Sequence, residues 1–386
     1  MEKRFKLNRA VMVNAINIAG QLAGTSNVVA IAKCVRLTFN KNTLVIRSTD
    51  TASTLRMVVD LGYDVPEKTD ICVEKELLMR TLRVISDEEI TMLYDAERNT
   101  VSVVYGRGYI DMPTFDAATF PSMPLSGESK VFNMPSSVLA EFIADGRNFI
   151  YTEKTEAVLN SIAIIVEGNT VTCYSTNRAV VYKNQFTLPE SYGEKMCIML
   201  PSNTFKPILD MCAQGEIVQL SIRQQNVVVS CGTLSYCARL TDGIYPAVER
   251  LVELPRTQDM SLSLYDIKEA MKRMSVTVGA SGLVVMDIKP ESLMLTGGDI
   301  MLQKNCKEEL MCQSSKEECI GINTSFLDKA INCVKTASLV VRYESADKVI
   351  SVESADNPYP IVIIAPMKIA QPAAEQTSDE ASEANQ

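Results

Sequence analysis

One arrangement of residues occurs three times along this chain, and that repetition limits the available folds more than any local motif does. A short apolar strand, a polar residue and an amphipathic helix are expected at 70–85, 196–211 and 318–334. The equivalent strand ends Val73, Leu200 and Ile322 are therefore spaced by roughly 125 residues. Two alternating segments follow each helix and predict a β-meander: 90–94 with 100–104, 217–222 with 226–230, and 339–343 with 349–352. Each copy opens on a strand and a first helix, at 4–16, 131–143 and 262–271, with Asn8, Ser136 or Ser137, and Asp266 as the expected caps. Two copies close alike, on FDAATFP at 115–121 and LTDGIYP at 240–246. The pattern predicts an α+β chain of three tandem domains over 1–128, 129–255 and 256–369, each with two helices packed on antiparallel sheet. A length of 386 residues also exceeds what one hydrophobic core supports.

Beyond Ile369 the sequence changes character. Residues 370–386 carry Glu375, Asp379, Glu380 and Glu383, no base and almost nothing apolar, so a disordered acidic tail is expected. It begins beside the apolar strand 361–364 and the segment Ala365-Pro-Met-Lys-Ile369, where it is placed to screen whatever binds there.

Composition excludes several classes of function. The chain has no histidine, which removes the commonest general base, the serine and cysteine triads and the commonest metal ligand. No GxGxxG, P-loop, HExxH or GxSxG is present. Eleven cysteines lie at irregular spacing without a CxxC pair, which suits reduced thiols rather than a disulfide framework or zinc site. No cofactor, metal or catalytic residue is expected. The N-terminal MEKRFKL lacks an apolar export segment, and no run approaches the roughly 20 apolar residues of a membrane span, so a cytoplasmic protein is expected.

The net charge of −9 argues against general nucleic-acid binding but permits a basic surface confined to one set of elements. Such a surface is written into the helices. Leu78, Leu82 and Ile85 form one stripe while Arg80 and Arg83 point away from it. Ile267, Ala270, Met271 and Met274 leave Lys268 and Lys272 outward; Leu327, Ala330, Ile331 and Val334 leave Lys329 and Lys335 off their stripe. Arg80, Arg83, Lys206, Lys268, Lys272 and Lys329 are the candidates to face DNA. An ordinary solvated helix face is the competing reading.

Four stretches, in order and at matching spacing, resemble the bacterial sliding clamps, the beta subunits of DNA polymerase III. LVIRSTDT at 44–51 resembles the family's L-x-L-x-x-T-D turn, and VTCYSTNRAVV at 171–181 its ATDGHRLA turn. TDGIYPAVERL at 241–251 is similar to DGRFPDYRRV, and IIAPMKI at 363–369 to the closing VVMPMRL. Ser175-Thr176-Asn177 stands for Asp-Gly-His, Ala365 for a usual methionine, Glu249 for one of a pair of arginines, and Thr25 near an arginine expected at DNA.

The resemblance covers residues 1–369 and implies a head-to-tail dimeric ring of six domains around duplex DNA, with sheets outside and helices inside. Edge strands at 109–112 of one copy and around 274–278 of the other are expected to pair. It also implies a groove between the second and third repeats for short peptides of the replicative polymerase catalytic subunit, the clamp loader and other clamp-motif proteins. The matching residues are Leu159, Arg178, Pro246, Leu251, Asn323, Phe326, Ile363, Pro366 and Met367, with Thr176, Arg250, Lys368 and Ile369 at the rim. The function implied is polymerase processivity, by a nucleoid-associated bacterial protein without catalysis of its own. The alternatives are a repeat scaffold that binds proteins without encircling DNA, and an enzyme built on a buried carboxylate pair.

Overall fold

A computed structural model describes residues 2–24, 30–121, 128–153, 155–193, 195–223, 225–279, 282–299 and 304–369. Thr25 and the acidic tail lie outside the described residues. The three repeats have one element order. The first contains β1 (Lys3–Asn8), α1 (Arg9–Ala19), β2 (Cys34–Asn40), β3 (Thr43–Thr49), β4 (Ser53–Asp60), β5 (Thr69–Glu74), α2 (Lys75–Val84), β6 (Glu89–Asp95), β7 (Thr100–Tyr105) and β8 (Gly108–Phe115). The second contains β9 (Lys130–Pro135), α3 (Ser136–Gly146), β10 (Ser161–Glu167), β11 (Thr170–Thr176), β12 (Val180–Thr187), β13 (Met196–Pro201), α4 (Phe205–Cys212), β14 (Ile217–Arg223), β15 (Asn226–Cys231) and β16 (Leu234–Arg239). A short helix, α5 (Glu249–Val252), precedes the third. That repeat contains β17 (Gln258–Ser263), α6 (Leu264–Met274), β18 (Leu283–Ile288), β19 (Ser292–Asp299), β20 (Lys304–Ser314), β21 (Glu318–Asn323), α7 (Thr324–Cys333), β22 (Ser338–Tyr343), β23 (Ile350–Ser354) and β24 (Ile361–Ile364).

By compactness the chain divides into two units, Met1–Ser175 with Gln185–Pro246, and Thr176–Asn184 with Ala247–Gln386. In the first unit a twelve-stranded antiparallel sheet runs β1-β6-β7-β8-β5-β2-β3-β4-β16-β15-β14-β9, so eight strands of the first repeat continue into four of the second through β4 and β16. In the second unit the order is β12-β24-β23-β22-β17-β20-β19-β18-β21, and residues 180–183 of β12 pair with β24.

The helices pack in pairs, α1 on α2, α3 on α4 and α6 on α7. The expected stripes are the buried faces: Leu78, Leu82 and Ile85; Ile267, Ala270, Met271 and Met274; Leu327, Ala330, Ile331 and Val334. Each fully buried side chain of this size contributes about 1.5–3 kcal/mol relative to exposure. In the first unit the helix side chains meet Val35, Leu37, Ile46 and Val73 of the sheet. Phe5 stacks on Phe39 there with ring centroids 3.8 Å apart.

Caps decide where these helices begin. Asn8 accepts from the Val11 N–H at 3.1 Å, as expected. The cap of α6 is Ser263, which accepts from the Asp266 N–H; Asp266 instead lies in the first turn, where a carboxylate meets the positive helix end. Ser136 is not a cap either. It is the first residue of α3, its hydroxyl buried without a hydrogen-bond partner, and Pro135 precedes it.

All eleven cysteines are free. Burial pushes the Cys34 thiol up to about 11 and the Cys72 and Cys212 thiols up to about 12. Reactivity follows the thiolate. A disulfide reagent on the folded protein is therefore expected to label the exposed Cys197 and Cys319 first, with Cys34, Cys72 and Cys212 reacting only on unfolding, as peptide mapping would show.

Candidate functional site

The predicted cationic residues lie on helix faces that the core leaves free. Arg80 and Arg83 are exposed on α2, Lys206 on α4 and Lys272 on α6, while Lys268 and Lys329 are half-buried on α6 and α7. Two are already neutralised locally: Lys206 bonds Asp210 at 2.9 Å, and Lys272 bonds Glu269, which raises the lysine and lowers the carboxylate. Arg80, Arg83, Lys268 and Lys329 have no ion-pair partner among the described residues. Every repeat thus presents at least one cation on its helices, at low density. That suits weak contact with phosphates and gives no means of reading bases.

Within the second unit the chain beyond β24 forms a wall. Ala365 N–H donates to Ala179 O at 2.9 Å, and Met367 N–H donates to Gly321 O at 2.7 Å, so residues 365–369 lie along β21. A cavity of about 440 Å³ opens there, lined by Pro366, Met367, Lys368 and Ile369 on one side and by Cys319, Gly321, Ala346 and Asp347 on the other. The latter four were not legible in the sequence. Gly321 was the available signal, because a side chain at that position would meet Met367 O at 2.5 Å.

The remaining groove candidates are placed unevenly. Ile363 is buried in β24, opposite Val181 and Ser351. Asn323 caps α7, accepting from Ser325 and Phe326 N–H, and Phe326 is half-buried in the first turn. Arg250 and Leu251 are exposed on α5. Leu159 and Pro246 belong to the first unit, where Leu159 is buried and Pro246 exposed.

Thr176 and Arg178 sit in a turn that the chain builds twice. Thr176 Oγ1 donates to Val180 O at 2.7 Å and accepts from Arg178 N–H; Asn177 Oδ1 accepts from the N–H groups of Ala179 and Val180. In the first repeat Thr49, Asp50, Thr51, Ala52 and Ser53 make the same bonds. Thr51 and Arg178 have φ of 77° and 79°, the left-handed region that costs a side-chain-bearing residue about 1–2 kcal/mol. The backbone therefore sets Arg178 at the glycine of the Thr-Asp-Gly-His-Arg pattern rather than at its arginine. Val180 then stands for that arginine, and it is buried.

Edge strands are partly as expected. Residues 109–112 lie in β8, which pairs along its length with β7 but meets β5 only at Phe115 and Thr114. Residues 274–278 are not a strand: Met274 ends α6 and a turn follows. An open edge in the third repeat lies instead on β20, paired with β19 over 304–311 and with β17 only from Cys312 onward.

Comparison with known proteins agrees with this architecture. Models of the DNA polymerase III beta subunit match its N-terminal domain at residues 3–124, its central domain at 133–247 and its C-terminal domain at 254–368. A beta sliding clamp of Staphylococcus epidermidis is 17% identical over 386 residues, spanning 94% of this chain and 99% of its own. One from Bacillus subtilis is 21% identical over 270 residues, spanning 68% and 71%. The fold is shared with a crystal structure of the Pseudomonas aeruginosa sliding clamp (TM-score 0.89, 18% identity, 95% of this chain and 100% of that one). It is shared equally with the beta subunit of Streptococcus pyogenes DNA polymerase (TM-score 0.88, 16% identity, 95% and 100%). Three consecutive domain matches over nearly the whole described chain, on a thrice-repeated clamp topology, place it in the family of DNA polymerase III beta subunits, the noncatalytic sliding clamps that confer processivity on replication.

Proposed function

We propose that two copies of this chain close head to tail into a ring around duplex DNA in the bacterial cytoplasm, at the nucleoid. We further infer that they tether the replicative polymerase and the clamp loader through short peptides held at the Met367 wall. The observation that supports closure is a strand pairing that recurs along the chain. The fourth strand of the first repeat, β4, pairs with the last strand of the second, β16. The fourth strand of the second, β12, pairs with the last of the third, β24. The fourth strand of the third repeat, β20, and the last of the first, β8, are left over, each with an open edge. Pairing β20 of one copy with β8 of another repeats the same junction, and doing so twice closes a ring that leaves neither junction edge exposed. Carrying over the β4–β16 register sets residues 304–308 against 108–112, with Cys306 opposite Ile110 and Lys307 opposite Tyr109.

Topological retention lets the protein stay on DNA without tight binding, which would defeat sliding. Arg80, Arg83, Lys268 and Lys329, without ion-pair partners among the described residues in a chain of net charge −9, are consistent with that division. Clamps loaded on circular DNA are expected to remain there, while clamps on linear DNA with free ends run off within the same period. Equal retention on both would remove the ring and favour a scaffold. No helix among the described residues is long and apolar enough to cross a membrane.

The peptide site is supported by its chemistry. Met367 offers an adaptable apolar surface beside Pro366 and Ile369, and open backbone groups beyond the single Met367–Gly321 bridge suit an extended segment.

A further inference from the structure

A row of arginines crosses the first unit's sheet on the face away from α1 and α2. Arg36 on β2 is directly opposite Arg47 on β3, Arg47 is opposite Arg56 on β4, and Arg56 is opposite Ser235 on β16. Neighbouring Val35, Leu37 and Ile46 point into the helix-packed core, so the three guanidinium groups share the other face. They line a cavity of about 570 Å³ together with Lys68, walled on one side by Phe120 and Pro121.

The charges there do not balance. Among the described residues Asp70 is the one carboxylate bonded in the row: it accepts from Arg36 at 3.1 Å and from the Thr38 hydroxyl at 2.5 Å. Although burial alone would raise it, the bonds from Arg36 and Thr38 hold its carboxyl below the usual range. Arg47 reaches only the Thr38 hydroxyl, at 3.3 Å, and neither Arg56 nor Lys68 has an ion-pair partner among the described residues. Burial, and then the charges of Arg56 and Arg36, lower Arg47. Like charges directly opposite across strands destabilise a sheet. In a chain with 47 acids against 38 bases, a half-buried cluster carrying four cations and one acid is an uncompensated charge in need of a counter-ion. The Thr54 hydroxyl, also on the lining, is buried without a hydrogen-bond partner.

We propose that this cavity binds a diphosphate group, either free pyrophosphate or the diphosphate of a nucleotide. Guanidinium forks match phosphate oxygens in pairs, and adjacent forks on neighbouring strands suit two linked phosphates better than one. The volume lies within the roughly 300–1,000 Å³ of small-molecule sites, and the Phe120–Pro121 wall leaves an apolar side for an organic body. The site is separate from the helix cations and from the Met367 wall, so it does not depend on how the clamp engages DNA or peptides.

Titration calorimetry on the full chain at physiological ionic strength, with pyrophosphate, ADP, AMP and sulfate as separate ligands, tests it. Pyrophosphate or ADP is expected to bind one per chain, at least about tenfold more tightly than AMP or sulfate. The tighter of the two identifies the free or the nucleotide form. The double substitution Arg47→Gln with Arg56→Gln is expected to weaken that binding by at least about tenfold while leaving the unliganded melting temperature unchanged or higher, because it removes repulsion. If that variant fails to fold, Lys68→Ala on the exposed loop is expected to weaken binding several-fold. Equal affinity for sulfate and pyrophosphate, unaltered by these substitutions, would mean an adventitious ion only and would overturn the proposal. So would the absence of binding up to about 1 mM ligand.

Discussion

Ile110→Cys is expected to lock two copies into a covalent dimer under oxidising conditions, and Tyr109→Lys to separate them. Tyr109 is 67% exposed on β8, an aromatic ring on a strand whose outer edge is unpaired over 108–113 among the described residues. The register carried over from β4 and β16 places it opposite Lys307 of a second copy, and its neighbour Ile110 opposite Cys306. Directly opposed residues of an antiparallel pair have Cβ atoms about 4.5–5.5 Å apart, close enough for a disulfide after small adjustment. Cys306 is partly exposed and free, so the second thiol is already present. Non-reducing electrophoresis should show the dimer band with Ile110→Cys and lose it when Cys306→Ser is added. A one-residue slip would point the two side chains to opposite faces and give no band. In Tyr109→Lys the new ammonium faces Lys307 at both junctions, and two like-charge pairs at about 1 kcal/mol each should weaken the dimer by at least about tenfold. Light scattering should then report monomers, with retention on circular DNA lost. An undisturbed dimer in that variant would place the contact elsewhere.

Gly321→Ala is the second large effect. The residue is buried in β21, and its carbonyl accepts from Met367 N–H. A Cβ there would stand 2.5 Å from Met367 O, 3.0 Å from Ile369 Cγ1 and 3.1 Å from Leu283 Cδ1. Two of these neighbours are side-chain ends with some freedom. The first is backbone, so residues 365–369 must lift from β21 and the wall of the cavity moves with them. Affinity for a polymerase-derived peptide should fall by at least about tenfold, or 1.4 kcal/mol. Dimer mass should not change, since β21 pairs with β18 and not with either proposed junction strand. Met367→Ala removes side chain without moving the wall and should give a smaller loss. Retained peptide affinity in both variants would dismiss this wall as the partner site.

Much of the fold could be read from residue order. Apolar period and cap chemistry are local properties, so the stripes of α2, α6 and α7 and the Asn8 cap were legible. The cap at Ser263 was missed because Ser263 and Asp266 are both good candidates, three residues apart; only the start of the hydrogen-bonded turn chooses between them. For the candidate site, the closing motif located Pro366 and Met367, but Ala346 and Asp347 reach the same cavity from a distant loop that no spacing announces. At Arg178 the letters suggested the arginine of the family pattern while a φ of 79° assigned the glycine's place, because side-chain identity and backbone conformation are separate facts.

By itself, then, the sequence determined the threefold repeat, the helix faces and their sparse cations, since each is set by interactions within about one turn or one hairpin. Strand partnership was decided only in three dimensions. Which edges pair, β4 with β16 and β12 with β24, and which stay open, β8 and β20, depends on hydrogen bonds between segments far apart in the chain. The same holds for the arginine row, whose members are scattered in sequence and become neighbours only through register.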